Sequence, residues 1–230
     1  MDGTTNPYPL RAHLVAGFPD LVRPYFAGSM MGKAQTRGTL QIIFHDLYQA
    51  CETVGGRIDD RPFGGGAGMV LRPEPIAHVL DEIIKQEGGT HKLLPIFLGP
   101  RGTRLTQPRV EKLAKSARTK ALVLLCGHYE GIDERILEHY GFHVYSLGDY
   151  VVSSGELAAA VLLDAVARLT PGALANDASP DQESFSAALG RKREYPHYTR
   201  PATWQNHHVP PELLSGNHAL IDQWRRSKLT

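Results

Sequence analysis

A chain of 230 residues, 42% hydrophobic and 21% charged, can bury one substantial core and leave material for a small second domain, which excludes a disordered or fibrous protein. A net charge of +1 excludes a uniformly basic body and leaves nucleic-acid binding to local patches. Two cysteines, Cys51 and Cys126, exclude a disulfide framework and a cysteine-based metal site; with no long uncharged run to span a bilayer, the expected location is the cytoplasm.

In chain order, Met1 to Leu10 is polar with Pro7 and Pro9 and reads as a loose lead-in. A strand is expected over Ala12–Val15. Phe18-Pro19-Asp20 then turns the chain into a helical stretch holding Leu21, Val22, Tyr25 and Phe26, a second helix covers Met30–Thr36, and a strand covers Leu40–Phe44. Gly55 to Gly68 reads GGRIDDRPFGGGAG, six glycines and two arginines around paired carboxylates. Its spacing matches neither the dinucleotide fingerprint nor the P-loop, and irregular surface loop is the reading from composition.

A helix follows over Pro75–Glu87, where Ile76, Val79, Leu80, Ile83 and Ile84 recur at three-and-four spacing, and Gly88-Gly89 stops it. Lys92–Leu98 and Ala121–Cys126 are short apolar runs of the kind buried in parallel sheets, with a helix over Gln107–Ser116 between them and another over Ile132–Tyr140 after them. His143–Tyr145 is the next strand. The three strands run into Gly99-Pro100-Arg101-Gly102, Gly127 to Gly131, and Leu147-Gly148, and ligands of open α/β sheets bind beyond the carboxyl ends of strands. The sequence thus predicts an α/β fold with a site where these loops converge.

Ser146 to Gly172 (SLGDYVVSSGELAAAVLLDAVARLTPG) places a turn at Ser146–Tyr150, a capping-box spacing at Ser153 and Glu156, and a helix to about Leu169. Leu157, Val161, Leu162, Leu163, Val166 and Leu169 surround that helix, so it needs two covers: the sheet, and a second copy of the protein. Ala173 to Asp181 is small and polar, a linker. Beyond it lie Arg191, Lys192, Arg193, Tyr195, Tyr198 and Trp204, then a last helix from Ser215 or Asn217 carrying Leu220, Ile221 and Trp224 and ending in Arg225, Arg226 and Lys228. Cations interleaved with aromatic rings point to RNA. His197, His207 and His208 lack metal-ligand spacing and read as solvated or stacking residues.

DDRPFGGGAGMVLRPEPI, LGPRG, LLCGHYEGIDERI and LGDYVVSSGELAAAVLLDAVARLTPG, with PHYTRP and PPELLSGNHALIDQWR further on, resemble bacterial tRNA (guanine-N1)-methyltransferases of the TrmD family, in the SPOUT superfamily. The resemblance covers nearly the whole chain from about Leu14. It implies a parallel sheet tied in a trefoil knot over residues 1–172, a linker at 173–182 and a small, mostly helical tRNA-binding domain at 183–230. It also implies a homodimer with active sites at the subunit interface. S-adenosyl-L-methionine would lie in the knot against Leu98, Pro100, Gly127, Tyr129, Glu130, Ser146, Leu147, Gly148, Tyr150, Val151, Val152 and Gly155. Asp59, Asp60, Arg61, His197, Tyr198 and Arg200 would face the tRNA.

Methylation at guanine N1 requires loss of the N1 proton while negative charge grows on O6, so it calls for a base and a cation. The resemblance assigns these to Glu183 and Arg168, and leaves room for a magnesium ion to share the electrostatic task. From residue chemistry alone, Asp164 and Arg168 form an ordinary four-apart helical ion pair and Glu183 is helix-start charge. Two departures stand out: Ser154 replaces a usual glycine, and Glu183 a usual aspartate. The rival readings are methylation of another nucleotide and a nonenzymatic RNA-binding protein on the same scaffold.

Overall fold

The computed structural model describes residues 10–174 and 183–230; these fall in two compact units, Met1–Ala175 and Asn176–Thr230. The polar lead-in before Leu10 and the linker from residue 175 to 182 lie outside the described residues. In the first unit β1 (Leu10–Ala16) leads through a 3₁₀ turn (Pro19–Leu21) to α1 (Arg23–Ala27), α2 (Ser29–Thr36), β2 (Leu40–Asp46) and α3 (Leu47–Val54). Two very short strands, β3 (Asp59–Asp60) and β4 (Val70–Leu71), precede α4 (Pro73–Glu87) and β5 (Leu93–Arg104). Then come α5 (Gln107–Ala117), β6 (Ala121–Leu125), α6 (Glu134–His139), β7 (His143–Ser146) and α7 (Gly155–Ala167).

Five strands form one sheet in the order β2-β1-β6-β5-β7, every neighbouring pair parallel. Helical crossovers between successive strands impose that direction and cover both faces. β6 shows the effect: all its residues are buried, with Leu122 and Leu124 in the core beneath α7 while Val123 and Leu125 enter the core against α4. Side chains two apart share a face of a strand, so a continuous apolar run serves two layers.

Three local expectations change. Gly99–Gly102 does not end β5: the strand continues to Arg104, and its pairing with β7 shifts register between Leu98 and Thr103. The glycine-rich segment is not wholly irregular, because Asp59 pairs with Leu71 and Asp60 with Val70. No capping box forms at Ser153 and Glu156. Ser154 is the N-cap, without a side-chain cap bond, and Glu156 instead accepts a hydrogen bond from the amide of Phe18 at 3.1 Å. A fourth element, α3, had no counterpart in the sequence reading; Asp46 caps it by accepting from the amides of Tyr48 and Gln49.

Beneath the sheet, His13 is fully buried on β1. Its Nε2 lies 2.9 Å from Glu87 Oε1, its Nδ1 lies 2.9 Å from Nε2 of His45, and Arg11 Nε reaches the same Glu87 oxygen at 3.0 Å. A carboxylate only accepts, so Nε2 of His13 donates to Glu87, and a neutral His13 accepts at Nδ1 from His45. Burial lowers the pKa of His13, and burial, with the His13 charge as a smaller cause, brings His45 down to about 4. The folded state therefore binds fewer protons than the unfolded chain between the ordinary histidine value and about 4, so stability is lost as pH falls through that window. Thermal unfolding should show a midpoint that drops from pH 7 towards pH 4.5, with a shallower drop in His45→Gln. Equal slopes in the two proteins would remove His45 as the cause.

In the second unit, helix among the described residues is limited to α8 (Pro211–Leu214) and α9 (His218–Ser227), beside a hairpin of β8 (Thr203–Trp204) and β9 (His207–His208). Asn217 caps α9 by accepting from the amides of Ala219 and Leu220. Trp224 is its buried anchor, with the Tyr195 and Tyr198 rings 6.3 and 6.1 Å away and the Arg225 guanidinium 5.0 Å above Tyr195. Arg193 and Thr230 exchange backbone hydrogen bonds and bring the end of the chain back to this cluster. Among the described residues of the chain, no helix is long and apolar enough to cross a membrane.

Candidate active site

A cavity of about 260 Å³ opens at the register shift within β5 and where β6 and β7 give way to their loops. The lining includes Leu98, Pro100, Gly127, Tyr129, Glu130, Ser146, Leu147, Tyr150, Val151, Val152 and Gly155, so the structure gathers eleven of the twelve residues expected to share a site. Gly148 is not among the lining residues; it braces the turn behind them, donating its amide to Ser146 Oγ at 3.3 Å while its carbonyl accepts from that hydroxyl at 3.0 Å.

Backbone holds these walls in place. The amide of Gly155 donates to the carbonyl of Gly127 at 2.8 Å, which ties the start of α7 to the loop after β6. A Cβ on Gly155 would lie 2.7 Å from that same oxygen, so the approach demands glycine. At the neighbouring crossing, a Cβ on Gly102 would overlap the backbone of Tyr145. The β3–β4 hairpin is fastened to the middle wall: Glu130 donates its amide to Met69 O at 3.0 Å, and Leu71 donates to Gly131 O at 3.0 Å.

Tyr129 sits at positive φ, 58°, and its hydroxyl lies 3.3 Å from that of Tyr48. The hydrogen bond with Tyr48, and after it desolvation, pushes the Tyr129 pKa up to about 12, and Asp59 also contributes. Asp59 is thereby near the cavity wall, while Asp60 accepts from the amide of Arg61 at 2.7 Å on the exposed side of the hairpin. Glu156 is wholly buried, and its Oε2 has no hydrogen-bond partner among the described residues; nor has Nδ1 of His128.

The catalytic and RNA-facing candidates divide between the units. Arg168 caps the C-terminus of α7 in the first unit, half-buried. Glu183 belongs to the second unit, half-buried, its carbonyl accepting from the amide of Ser186 at 3.1 Å. His197, Tyr198 and Arg200 lie there too, exposed, with His197 Nε2 3.1 Å from Glu194. Among the described residues, no group of three or more His, Cys, Asp or Glu side chains is placed to hold a metal ion. The loops grouped from the sequence left out Phe97 and Ala158 of the lining. Phe97 read as ordinary strand core and Ala158 as ordinary helix.

A parallel α/β sheet with a loop-built cavity beyond its strand ends defines a small-ligand-binding protein of the open α/β type. The chain belongs to the family described as tRNA (Guanine-1)-methyltransferase TrmD, which it matches over residues 10–230. It is 42% identical to the tRNA (guanine-N(1)-)-methyltransferase of Geobacillus kaustophilus over 95% of this chain and 86% of that protein. It is 43% identical to the protein of the same name from Anoxybacillus flavithermus, over 92% and 83% of the two chains. The likeness to the Lachnospira eligens protein of that name is 42%, over 94% and 88%.

Proposed function

We propose that the protein transfers a methyl group from S-adenosyl-L-methionine to N1 of the guanosine at tRNA position 37, next to the anticodon. Family membership along nearly the whole chain, together with a cavity built by the three loops that carry the family's motifs, is the observation that supports this over the rival nucleotide and the nonenzymatic reading. The cavity suits the cofactor: apolar walls at Leu98 and Leu147 for a flat base, and backbone groups of Gly127 and its neighbours for polar edges. The cofactor, when bound, supplies an activated methyl group on a sulfonium.

The protein's own residues do the remainder. The three loops hold and orient the donor. Glu183 accepts the N1 proton on a carboxylate oxygen, and Arg168 places positive charge where O6 gains electron density. A magnesium ion remains part of the reading as a second source of that charge. Asp59, Asp60 and Arg61 on the β3–β4 hairpin contact the target nucleotide and its neighbours, and His197, Tyr198 and Arg200 contact the tRNA from domain 183–230. The finer fold reading is a trefoil knot over residues 1–172 followed by a linker at 173–182. The tight crossings of Gly155 on Gly127 and of Gly102 on Tyr145 support it. A cytoplasmic site of action follows from the substrate.

Incubating the purified protein with labelled S-adenosylmethionine and tRNA, then identifying the nucleoside, tests the assignment. The label should appear in 1-methylguanosine; label in another nucleoside, or none, overturns it.

A homodimer completes the reading. Leu157 and Val161 on α7 are 50% and 48% exposed, and Leu21 and Tyr25 on the preceding segment are 61% and 52% exposed, an apolar patch suited to a second copy. Tyr25 is tied to α7 by donating its hydroxyl to Asp164 at 2.9 Å. With each site drawing loops from one subunit and domain 183–230 from the other, mixing a Gly155→Ala protein with an Arg200→Ala protein should restore part of the activity. Inactive, verified heterodimers would exclude a shared site.

A further inference from the structure

Glu156 is a charged residue in an unusual place. It is 0% exposed, and among the described residues only half of its carboxylate is satisfied: Oε1 accepts from the amide of Phe18, and Oε2 has no partner. A carboxylate buried with a bare oxygen carries a large desolvation penalty unless a positive group offsets it. Among the described residues, no Arg, Lys or His is paired with it.

Its position says what could supply the charge. Gly155 before it and Ala158 after it both line the cavity. On the far side, Phe18 packs its ring 4.8 Å from His128, a wall residue. The Cys126 thiol is pushed well up, by burial first and then by the Glu156 charge, which puts the carboxylate beside Cys126 and so behind Gly127, another wall residue. The charge thus sits just beneath the cavity, shielded from water, where fields reach far.

We infer that Glu156 is the fixed counter-charge of the cationic donor, so that the cavity prefers a sulfonium ligand to the neutral thioether left after methyl transfer. The inference rests on the proposed cofactor. It adds a role in product release: once the methyl cation equivalent has left sulfur, the attraction from Glu156 has no partner and the thioether is held less tightly. Because Glu156 acts through the field and not by contact, it is a positioning and selecting residue. Glu156 also fixes the turn after β1 through Phe18, a purely structural role that would affect both ligands alike.

Calorimetry separates the two. Three ligands are titrated into the whole protein: S-adenosylmethionine, S-adenosylhomocysteine, and sinefungin, whose ammonium stands where the sulfonium would be. Glu156→Gln keeps the length and can still accept from Phe18. It should weaken the two cationic ligands about tenfold and leave the thioether unchanged. Glu156→Asp keeps the charge and should keep the preference. Equal weakening of all three ligands in Glu156→Gln, or no weakening, overturns the inference.

The wild-type protein gives a second reading that needs no variant. Near pH 9, sinefungin should take up protons on binding, seen as a dependence of the heat on buffer ionisation enthalpy. Binding without proton uptake counts against a counter-charge. If the wild type binds none of the three ligands, the cofactor assignment itself fails; if it binds all three without preference for cations, only the counter-charge does.

Discussion

Replacing Glu183 with glutamine should lower single-turnover methyl transfer by roughly a hundredfold or more, the usual contribution of a positioned general base, while S-adenosylmethionine binding survives. Glutamine preserves the shape and removes the basicity. A carboxylate suits the task because it can accept the proton, while guanine N1 becomes easier to deprotonate near a cation such as Arg168. Glutamate is one methylene longer than the aspartate usual in the family, so the chain at Glu183 should stand slightly further from the target base. The rival carboxylates, Asp177 and Asp181, lie outside the described residues. Near-normal methylation in Glu183→Gln, with loss in Asp181→Asn or Asp177→Asn, would reassign the base. Arg168→Ala should separate in the same way, with transfer falling and donor affinity held.

The second large effect belongs to a residue without a side chain. Gly155→Ala would set a Cβ 2.7 Å from Gly127 O and 2.9 Å from the carbonyl carbon of Cys126. These are backbone atoms at the end of a buried strand, and they cannot swing aside as a flexible side chain would. Over-packing of this kind costs about 3 kcal/mol, which for a domain of this size lowers the melting temperature by roughly 6–12 °C. The displaced loop also carries His128, Tyr129 and Glu130, so donor binding should be lost beyond calorimetric detection. Ser154→Gly is the matched control. Ser154 has φ −149° and ψ 146°, extended backbone open to any residue, so the departure from the family's glycine needs no compensation and reversal should leave binding unchanged. A Gly155→Ala protein that binds the donor normally would refute the steric account.

Much of this was legible in the chain. The apolar runs at Lys92–Leu98 and Ala121–Cys126 marked parallel strands, because only strands covered on both faces bury every residue. The glycines after them marked the cavity. The regions that were not legible share a physical cause: their roles depend on partners remote in sequence. Gly99–Gly102 looked like a strand end because glycine and proline break ladders locally, yet it is a register shift within β5: Leu98 and Thr103 on either side both pair with Tyr145, and pairing resumes to Arg104. Ser153 and Glu156 had the spacing of a cap, but the amide of Phe18, 138 residues away, won the carboxylate. α3 escaped notice because Leu47, Ala50 and Cys51 make a short apolar face, too brief to stand out from the strand before it. The expectations of a trefoil knot and of catalytic roles for Glu183 and Arg168 came from resemblance to the family, since no local pattern encodes a threaded loop or a proton transfer.

The place of β1 in the sheet bears on how the protein is made. β1 is made before the other described strands of the sheet, and it ends up between β2 and β6. β2 follows at once, but the other edge, Ala12–Val15, waits for Leu122–Leu125, roughly a hundred residues later. At ~5–20 residues per second that is about 5–20 s during which a mostly apolar strand edge has no native neighbour. Nascent chains in this interval present an open template for pairing with other chains, and charge is scarce there apart from Arg11 and His13. Yield during expression should therefore respond more to translation speed and to chaperones that shield nascent strands than the stability of the finished fold alone would indicate.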